Sequence, residues 1–462
     1  MAATDLAVIG AGPAGLSAAV TAARAGVHVT LADEYARPGG QYLKGTLQEK
    51  ASGFSSQTAQ RAQALLEEFQ DLQIDFRART MVWGFEGMRL ALAGPSGREW
   101  LETQAVVIAT GAREVVVPFP GWTLPGVMTL GGAQILAEAH GVLPGKRVLL
   151  AGSGPLLLAA AEGLSRHGAQ VLGVLEATHP TAWLRHGTAM WGNWDRLREG
   201  WTYLKSLNRR GIPYRFGRTI AGALGEDQVE AAVVVRLNQQ GIPIPASEER
   251  LAVDALCVGF GLIPNIELTQ LAGCEHEFDT LKGGWVPKVG ENMETSVPGL
   301  FAAGETAGIG GAQAAMLEGR IAGLAAVERL GFVHTQVLTR TLTDLSCARL
   351  HAQRFGAMFN TLFQPGPGLD ALTLDDTIIC RCEDVSAGEV RDAIRGGIRS
   401  LDALKTGTRV GQGPCQGRTC GPLIARMIAR QTGTSLSTVA GFHVRPPLKP
   451  LLLRILAQEA PG

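Results

Sequence analysis

Short apolar runs of strand character alternate with alanine-rich helical stretches from residue 5 to about residue 330. This alternation is the pattern of an α/β architecture with parallel sheets. A helical stretch then runs from about Thr335 to Leu362, and the Pro/Gly segment 364–368 ends it. We therefore predict an α/β region followed by a compact C-terminal domain.

An internal repeat divides the α/β region into two units. Segment 6–13 recurs as segment 148–155, and Gly26 and Gly168 keep the same offset. Each copy places a Gly-x-Gly turn between a strand and a helix, which is the arrangement of a nucleotide-binding βαβ unit. The sequence therefore predicts two dinucleotide-binding folds in one chain.

Composition narrows the function classes mainly by exclusion. The 462 residues are 46% hydrophobic and 18% charged, so the chain can bury a large core and is not disordered. Lys plus Arg (42) equals Asp plus Glu (42), which leaves no net charge to attract nucleic acid. No basic leader precedes the first strand, and no uninterrupted apolar stretch reaches about 18 residues. We expect a cytoplasmic protein without a transmembrane anchor and with reduced cysteines.

The first glycine turn carries a complete dinucleotide fingerprint, Gly10-x-Gly12-x-x-Gly15. Gly10 permits the tight turn, Gly12 lets the backbone approach a pyrophosphate, and Gly15 allows close packing of helix on strand. Asp33 and Glu34 end the next strand, where a carboxylate accepts hydrogen bonds from ribose hydroxyls. Because side chains alternate along a strand, we expect Asp33 to face the ribose.

Further segments indicate that this dinucleotide is FAD. Segment 38–41 matches many two-dinucleotide flavoproteins, segment 106–112 resembles the strand that crosses under the flavin, and segment 295–305 resembles the second flavin motif. Glu305 replaces the usual aspartate of that motif, and its longer carboxylate still accepts from a ribityl hydroxyl. The predicted FAD contacts are Gly10, Gly12, Pro13, Ala14, Gly15, Asp33, Glu34, Gly40, Gln41, Ala109, Thr110, Gly111, Gly304, Glu305 and Gly311.

The second glycine turn is degenerate, because Leu157 takes the place of the third glycine in Gly152-x-Gly154-x-x-Leu157. Glu176 still ends the next strand and would hold a ribose while repelling a 2′-phosphate. One interpretation is an NAD(H) site at Gly152, Gly154 and Glu176. The favoured one is a relic domain, either empty or keeping an adenine nucleotide without hydride transfer. No cysteine pair before residue 380 forms a redox dithiol, so disulfide reductase chemistry is excluded, and no catalytic residue is predicted.

Four of the seven cysteines fall within 41 residues, as Cys380-x-Cys382 and Cys415-x4-Cys420. Four thiolates in two close pairs suit either a tetrahedral zinc ion or a [2Fe–2S] cluster. Zinc sites favour longer spacings within a pair than Cys-x-Cys. The glycines around the second pair would let backbone N–H groups reach the sulfur atoms. A [2Fe–2S] cluster is favoured, with zinc and free thiols as alternatives.

These motifs together resemble the FAD-containing subunits of multi-subunit, dye-linked amine dehydrogenases. That family includes the A-type chain of opine oxidase, the B-type chain of hydrogen cyanide synthase and the α-type chains of proline and hydroxyproline dehydrogenases. The cysteine pattern resembles the bacterioferritin-associated ferredoxin-like [2Fe–2S] domain. The resemblance rests on segments 38–41, 152–158, 258–265, 304–311, 380–385, 413–418 and 445–447.

The resemblance implies a glutathione-reductase-type flavoprotein fold with a C-terminal iron–sulfur domain. Its expected cofactors are FAD and a [2Fe–2S] cluster, with NAD or ATP as options at the second nucleotide site and FMN as an option at the subunit interface. Its expected partners are a D-amino-acid-oxidase-like catalytic subunit and an electron acceptor, with one further small subunit as an option. A peripheral position at the inner face of the cell membrane is also an option. The predicted domains are an FAD-binding domain (1–120 and 285–332), a second nucleotide-binding domain (121–284), a helical linker (333–370) and a [2Fe–2S]-binding domain with an extended, Pro-rich tail (371–462).

The leading hypothesis is an electron-transfer subunit that is inactive without a partner, which oxidises a C–N bond of an opine, proline, hydroxyproline or glycine. The alternatives are a self-contained NAD(P)H-dependent reductase and a structural nucleotide-binding scaffold. Four of the eight tryptophans fall within nineteen residues, and this cluster indicates equally a partner interface or a small aromatic core. They are Trp183, Trp191, Trp194 and Trp201.

Overall fold

The computed structural model describes residues 2–43, 57–181, 194–333, 335–364 and 366–457. The helices in chain order are α1 (Pro13–Arg24), α2 (Gly40–Leu43), α3 (Gln57–Asp71), α4 (Leu130–His140), α5 (Leu156–Arg166), α6 (Trp194–Arg209), α7 (Glu267–Leu271), α8 (Gly311–Arg329), α9 (Thr335–Leu362), α10 (Ala387–Arg395), α11 (Leu401–Thr408), α12 (Cys420–Thr432) and α13 (Leu453–Leu456). None of the described helices is long and apolar enough to cross a membrane.

The strands in chain order are β1 (Ala2–Ile9), β2 (Val29–Ala32), β3 (Asp75–Arg77), β4 (Met81–Glu86), β5 (Arg89–Gly94), β6 (Gly97–Ile108), β7 (Ala112–Glu114), β8 (Val127–Thr129), β9 (Arg147–Gly152), β10 (Gln170–Glu176), β11 (Tyr214–Phe216), β12 (Arg218–Leu224), β13 (Ala231–Arg236), β14 (Glu249–Ala252), β15 (Ala255–Gly259), β16 (Leu262–Pro264), β17 (His276–Asp279), β18 (Gly284–Pro287), β19 (Leu300–Ala302), β20 (Ile378–Cys380) and β21 (Val385–Ser386).

The chain folds into two compact units, each built from segments that are distant in sequence. The first unit comprises Met1–Arg113, Leu262–Ala357 and Val444–Gly462, and the second comprises Glu114–Gly261 and Met358–His443. Residues on both sides of the Pro/Gly segment 364–368 therefore belong to the second unit. The finer division into four domains stays a prediction.

The first unit is built on a seven-stranded sheet with the order β3-β2-β1-β6-β5-β4, and β19 pairs with the C-terminal part of β6. Strands β3, β2, β1, β6 and β19 are parallel, whereas β4, β5 and β6 are antiparallel. Helices α1 and α8 pack together, with Gly319 and Gly323 facing the backbone of Ala14 and Ala18. The glycine turn after β1, the acidic pair after β2 and the turn after β6 thus all lie at the carboxyl edge of the sheet, where α/β folds bind ligands.

The second unit repeats this plan in a parallel five-stranded sheet with the order β11-β10-β9-β15-β8. Strand β9 and helix α5 flank the second Gly-x-Gly turn as β1 and α1 flank the first. An antiparallel sheet, β12-β13-β14, lies in the same unit. The predicted internal repeat is therefore present as two βαβ units.

The C-terminal part of the second unit is a small helical module with its own core. Helices α10, α11 and α12 and the hairpin β20-β21 enclose buried apolar side chains that include Val390, Leu404 and Ile424. A capping box starts α10, since Ser386 and Glu389 bond each other's backbone. Residues 441–452 then run without helix and include the predicted Pro-rich tail. In the first unit the backbone N–H of Leu448 in this tail donates to the carbonyl of Trp83 (2.9 Å).

The tryptophan cluster is only partly described. Trp183 and Trp191 lie outside the described residues, and Trp194 begins α6. Trp201 is 68% exposed in the same helix, a large apolar surface for a single residue. The structure therefore does not place Trp201 in an aromatic core.

Candidate cofactor sites

The first glycine turn has the close backbone approaches that its fingerprint predicts. A Cβ at Gly10 would lie 2.3 Å from the carbonyl oxygen of Ala109, and a Cβ at Gly15 would lie 1.7 Å from that of Gly10. Side chains are therefore excluded at both positions. At Gly12 the nearest atom to such a Cβ is the Cα of Gly40, at 3.9 Å, so only glycine backbone faces this part of the turn.

Asp33 is buried beside this turn. Its Oδ2 accepts from the N–H of Ala11 (2.6 Å) and its Oδ1 from the N–H of Tyr35 (2.7 Å). Glu34 is exposed and pairs with Lys449 of the tail (Nζ–Oε1 2.7 Å). This arrangement supports Asp33 over Glu34 as the ribose-binding residue, an assignment that stays a prediction.

The second flavin motif meets the first turn directly. Gly304 follows β19 with a φ of +70°, and a Cβ there would lie 2.7 Å from the Cβ of Ala14. Thr306 accepts through Oγ1 from the N–H of Gly111 (2.9 Å), and its Oγ1 lies 3.2 Å from that of Thr110. The structure thus brings together three segments that the sequence predicted separately.

The remaining predicted FAD residues lie at starts of helices. Pro13 begins α1, Gly40 begins α2 and Gly311 begins α8. The starts of α1 and α8 carry unpaired N–H groups and a partial positive charge, which suits phosphate and the electron-rich end of a flavin. Gln41 is exposed and donates to the hydroxyl of Tyr35 (3.0 Å).

Two carboxyl groups near this motif have strongly raised pKa values. Burial raises the pKa of Glu305 to about 7, and no hydrogen bond or charge from the described residues offsets this rise. Burial also raises the pKa of Glu318 to about 7, although Gln353 donates to its Oε1 (2.7 Å) and the N–H of Gly304 to its Oε2 (2.8 Å). The open approach at Gly12 fits a bound FAD, as does the carboxyl of Glu305, which has no hydrogen-bond partner among the described residues.

Glu318 was missed by the sequence reasoning. It is 3% exposed, within the buried side of α8. The available signal was Glu318 itself, a carboxylate within an alanine-rich helix segment, because burying a charged group is costly unless it is paired or hydrogen-bonded.

The second glycine turn differs from the first in the residue that packs against it. The hydroxyl of Ser153 donates to the carbonyl of Phe363 (2.6 Å). The side chain of Phe363 lies 3.9 Å from where a Cβ of Gly154 would be, the place that Gly40 takes at the first turn. At the second turn the side chain of Phe363 therefore takes the place that the bare Gly40 takes at the first turn.

The carboxylate of Glu176 is fully buried and fully bonded. Its Oε2 accepts from Gly154 N–H (3.1 Å) and the hydroxyl of Tyr214 (3.0 Å), and its Oε1 from the N–H and hydroxyl of Thr178 (3.0 Å each). A carboxylate offers about four lone-pair positions. Since all four are used, none remains for a ribose, and the geometry favours the relic interpretation over an NAD(H) site.

The four clustered cysteines lie together in the helical module as two neighbouring thiol pairs. The thiol of Cys420 donates a hydrogen bond to the sulfur of Cys380, and the thiol of Cys382 donates one to the sulfur of Cys415. Cys420, with backbone N–H groups that include that of Gly411, lowers the pKa of Cys380 to about 5. All four are free thiols. Within the described part of the chain, no three His, Cys, Asp or Glu side chains converge as metal ligands, so the pairs are side by side and do not form one closed set.

The chemistry of this donor set nevertheless fits an iron–sulfur cluster. Four soft thiolates are the ligands that a [2Fe–2S] cluster requires. A Cβ at Gly413 would lie 2.1 Å from the Cβ of Cys382, so the backbone just before Cys415 packs directly against the side chain of Cys382.

Comparison with known proteins agrees with both sites. The family model described as pyridine nucleotide-disulphide oxidoreductase matches residues 4–319, and that of the BFD-like [2Fe-2S] binding domain matches residues 378–430. The A-type chain of opine oxidase from Agrobacterium tumefaciens (strain Ach5) is 35% identical and aligns with 98% of this chain and 91% of its own length. Hydrogen cyanide synthase subunit HcnB of Pseudomonas aeruginosa is 34% identical, with 96% of each chain covered.

A solved structure shares the fold over almost the whole chain. L-proline dehydrogenase from P. horikoshii superimposes with a TM-score of 0.70 at 24% identity, covering 99% of this chain and 80% of that one. The predicted two-dinucleotide flavoprotein fold, its FAD and [2Fe–2S] cofactors and the oxidoreductase class are thereby confirmed. The individual contact residues, the adenine nucleotide and FMN stay predictions.

Proposed function

Since this chain belongs to the pyridine nucleotide-disulphide oxidoreductase family and carries a BFD-like [2Fe–2S] domain, we propose that it is the electron-transfer subunit of a hetero-oligomeric amino-acid dehydrogenase or oxidase. A partner flavoprotein of the D-amino-acid oxidase type oxidises the C–N bond of an opine, proline, hydroxyproline or glycine. Electrons then pass through this chain to an acceptor. When bound, FAD handles electrons in pairs and a [2Fe–2S] cluster handles them singly.

The occupied carboxylate at the second nucleotide site carries this proposal. With Phe363 beside Gly154 and all four acceptor positions of Glu176 used, the described part of this site has no free carboxylate to hold the ribose of NADH. The self-contained reductase is therefore disfavoured. Electrons must come from a substrate bound elsewhere, and two relatives, the opine oxidase chain and hydrogen cyanide synthase subunit HcnB, are by name subunits of larger enzymes.

The chain's own residues have supporting roles in this scheme. Gly12 admits the pyrophosphate, Asp33 holds the ribose, and Glu305 bonds the ribityl chain through its carboxyl group. Cys380, Cys382, Cys415 and Cys420 hold the cluster. No residue of this chain needs to abstract a proton from the amine, because that step belongs to the partner.

Partner contact also has a candidate residue. Trp201 in α6 is 68% exposed, and Leu204, one turn further on, is 36% exposed. Exposed tryptophan is enriched among the residues that dominate protein interfaces. We assign this part of α6 to contact with another subunit of the enzyme.

The test is turnover by the isolated chain and by the reconstituted complex. The chain alone should show no flavin bleaching with NADH and no dye reduction with proline, hydroxyproline, glycine or an opine. Activity should appear when the partner is added. Cys415→Ser should then abolish electron delivery to the physiological acceptor, while Cys347→Ser, an exposed thiol outside the cluster, should not. Steady turnover by the isolated chain would refute the proposal.

A further inference from the structure

Phe442 fills a slot made of glycines beside the four cysteines. A Cβ at Gly411 would lie 2.7 Å from its ring, one at Gly417 2.3 Å and one at Gly421 3.3 Å. Gly411 and Gly417 each have a φ of +80°, which alone favours glycine. Gly421 is different, because it lies in α12 with ordinary helical geometry, where alanine would be the better helix former. At Gly421 it is the ring of Phe442 that would crowd any added side chain.

The positions that Phe442 contacts adjoin the cysteines. Gly417 lies between Cys415 and Cys420, and Gly421 follows Cys420 directly. The backbone N–H of Gly411 donates to the sulfur of Cys380. The ring therefore packs on the backbone that carries Cys415 and Cys420. It also packs on Gly411, whose N–H donates a hydrogen bond to the sulfur of Cys380.

Phe442 is held in this slot by its neighbours in α11. The N–H of the next residue, His443, donates to Oδ1 of Asp402 (3.1 Å), and the ammonium of Lys405 stands 5.7 Å from the ring centre. Phe442 also packs against the apolar core of the helical module. It lies beyond residues 378–430, which the [2Fe-2S] domain model matches, so the shared domain does not supply it.

We propose that Phe442 is a positioning residue that shields the cluster ligands from water. It therefore keeps the reduction potential of the cluster low and slows the loss of iron. Reduction adds negative charge to the cluster, and water stabilises that charge, so an apolar ring that excludes water disfavours reduction. This inference rests on the proposed ligation of the cluster by the four cysteines.

The experiment compares Phe442→Ala, Phe442→Leu and the control Phe332→Ala, which removes a 44% exposed ring from the first unit. The full chain, with its partner, is assayed for iron and sulfide, for the cluster midpoint potential by EPR-monitored titration, and for iron loss to a chelator. Phe442→Ala should raise the potential and speed iron loss roughly tenfold, which corresponds to about 1.4 kcal/mol of barrier. Phe442→Leu should lie between it and wild type, and Phe332→Ala should match wild type. A Phe442→Ala protein with wild-type potential and wild-type iron loss would overturn the inference.

A second variant tests the contact from the other side and does not require Phe442 to be removed. Gly421→Ala places a methyl group against the ring and should also raise the potential and speed iron loss. Combined with Phe442→Ala it should add nothing further, because the two changes act on one contact. Additive effects would overturn the inference. Cys382→Ser separates the two proposals: a cluster that survives this change refutes the cysteine ligation on which both rest, whereas wild-type behaviour of Phe442→Ala with an intact cluster refutes the role of Phe442 alone.

Discussion

Part of the pH dependence of the free energy of unfolding should come from one buried carboxyl, that of Glu318. Its side chain is 3% exposed and bonds the N–H of Gly304 and the amide of Gln353. The charged groups that face it are Lys282 and Arg349, which lower its pKa less than burial raises it. Glu318→Gln keeps the shape and an acceptor for Gly304 while removing the titration.

The size of the effect follows from the two pKa values. The pKa of Glu318 is about 7 in the folded chain against an ordinary value of 4.5. The native state therefore holds the proton more tightly than the unfolded state, and stability falls as pH rises between these values. A difference of about 2.5 units corresponds to an upper bound of about 3 kcal/mol. Below pH 4.5 and above pH 7 the contribution of Glu318 should be constant.

Urea unfolding of the FAD-loaded chain between pH 5 and pH 8 measures this contribution. Wild type should lose stability relative to Glu318→Gln as the pH rises, and Glu305, present in both proteins, cancels in the difference. Glu162→Gln is the matched control, because Glu162 is equally buried (1% exposed) but pairs with Arg166. If wild type and Glu318→Gln give parallel profiles, the carboxyl is not held in its neutral form and the reasoning is wrong.

Three further outcomes are expected. Gly12→Val should abolish FAD binding, measured as the flavin-to-protein ratio, because a branched side chain would stand where the pyrophosphate approaches; full flavin occupancy would contradict the assignment. Cys382→Ser should lose acid-labile sulfide and the reduced-state EPR signal while keeping flavin, and zinc without iron in wild-type protein prepared without oxygen would contradict the cluster. Phe363→Ala should destabilise the second unit by about 3 kcal/mol, since it empties a buried site. It should still give no flavin bleaching with NADH, because the carboxylate of Glu176 stays saturated; bleaching would show that the ring alone closes the site.

The glycine turns and the cysteine pairs were predictable because their chemistry is local. A turn that must approach a pyrophosphate needs glycine at Gly10 and Gly12, and the spacing of four thiolates in two close pairs favours a [2Fe–2S] cluster over zinc. The strands followed from apolar runs such as β2, whose four residues are all buried. These features need no knowledge of what lies across the fold.

The residues that decide how each site works were not predictable in this way. Ser153 and Phe363 are 210 positions apart, and nothing in the sequence of either segment predicts the hydrogen bond between them. The slot for Phe442 becomes visible only when Gly421, an unfavourable residue in a helix, is seen against the ring. Hydrophobic periodicity reports which face of an element is buried but not which distant side chain buries it.

The division of the first unit into three pieces has a consequence for synthesis on the ribosome. Its sheet is begun by residues near the N-terminus, β19 is added some two hundred positions after β6, and the tail contributes its hydrogen bond to Trp83 only after the cluster module has been made. Contacts of such long sequence separation are slow to form. The flavin-binding fold is therefore incomplete until residues 444–452 have left the ribosome. Until then, apolar surface and unpaired strand edges of its sheet stay exposed.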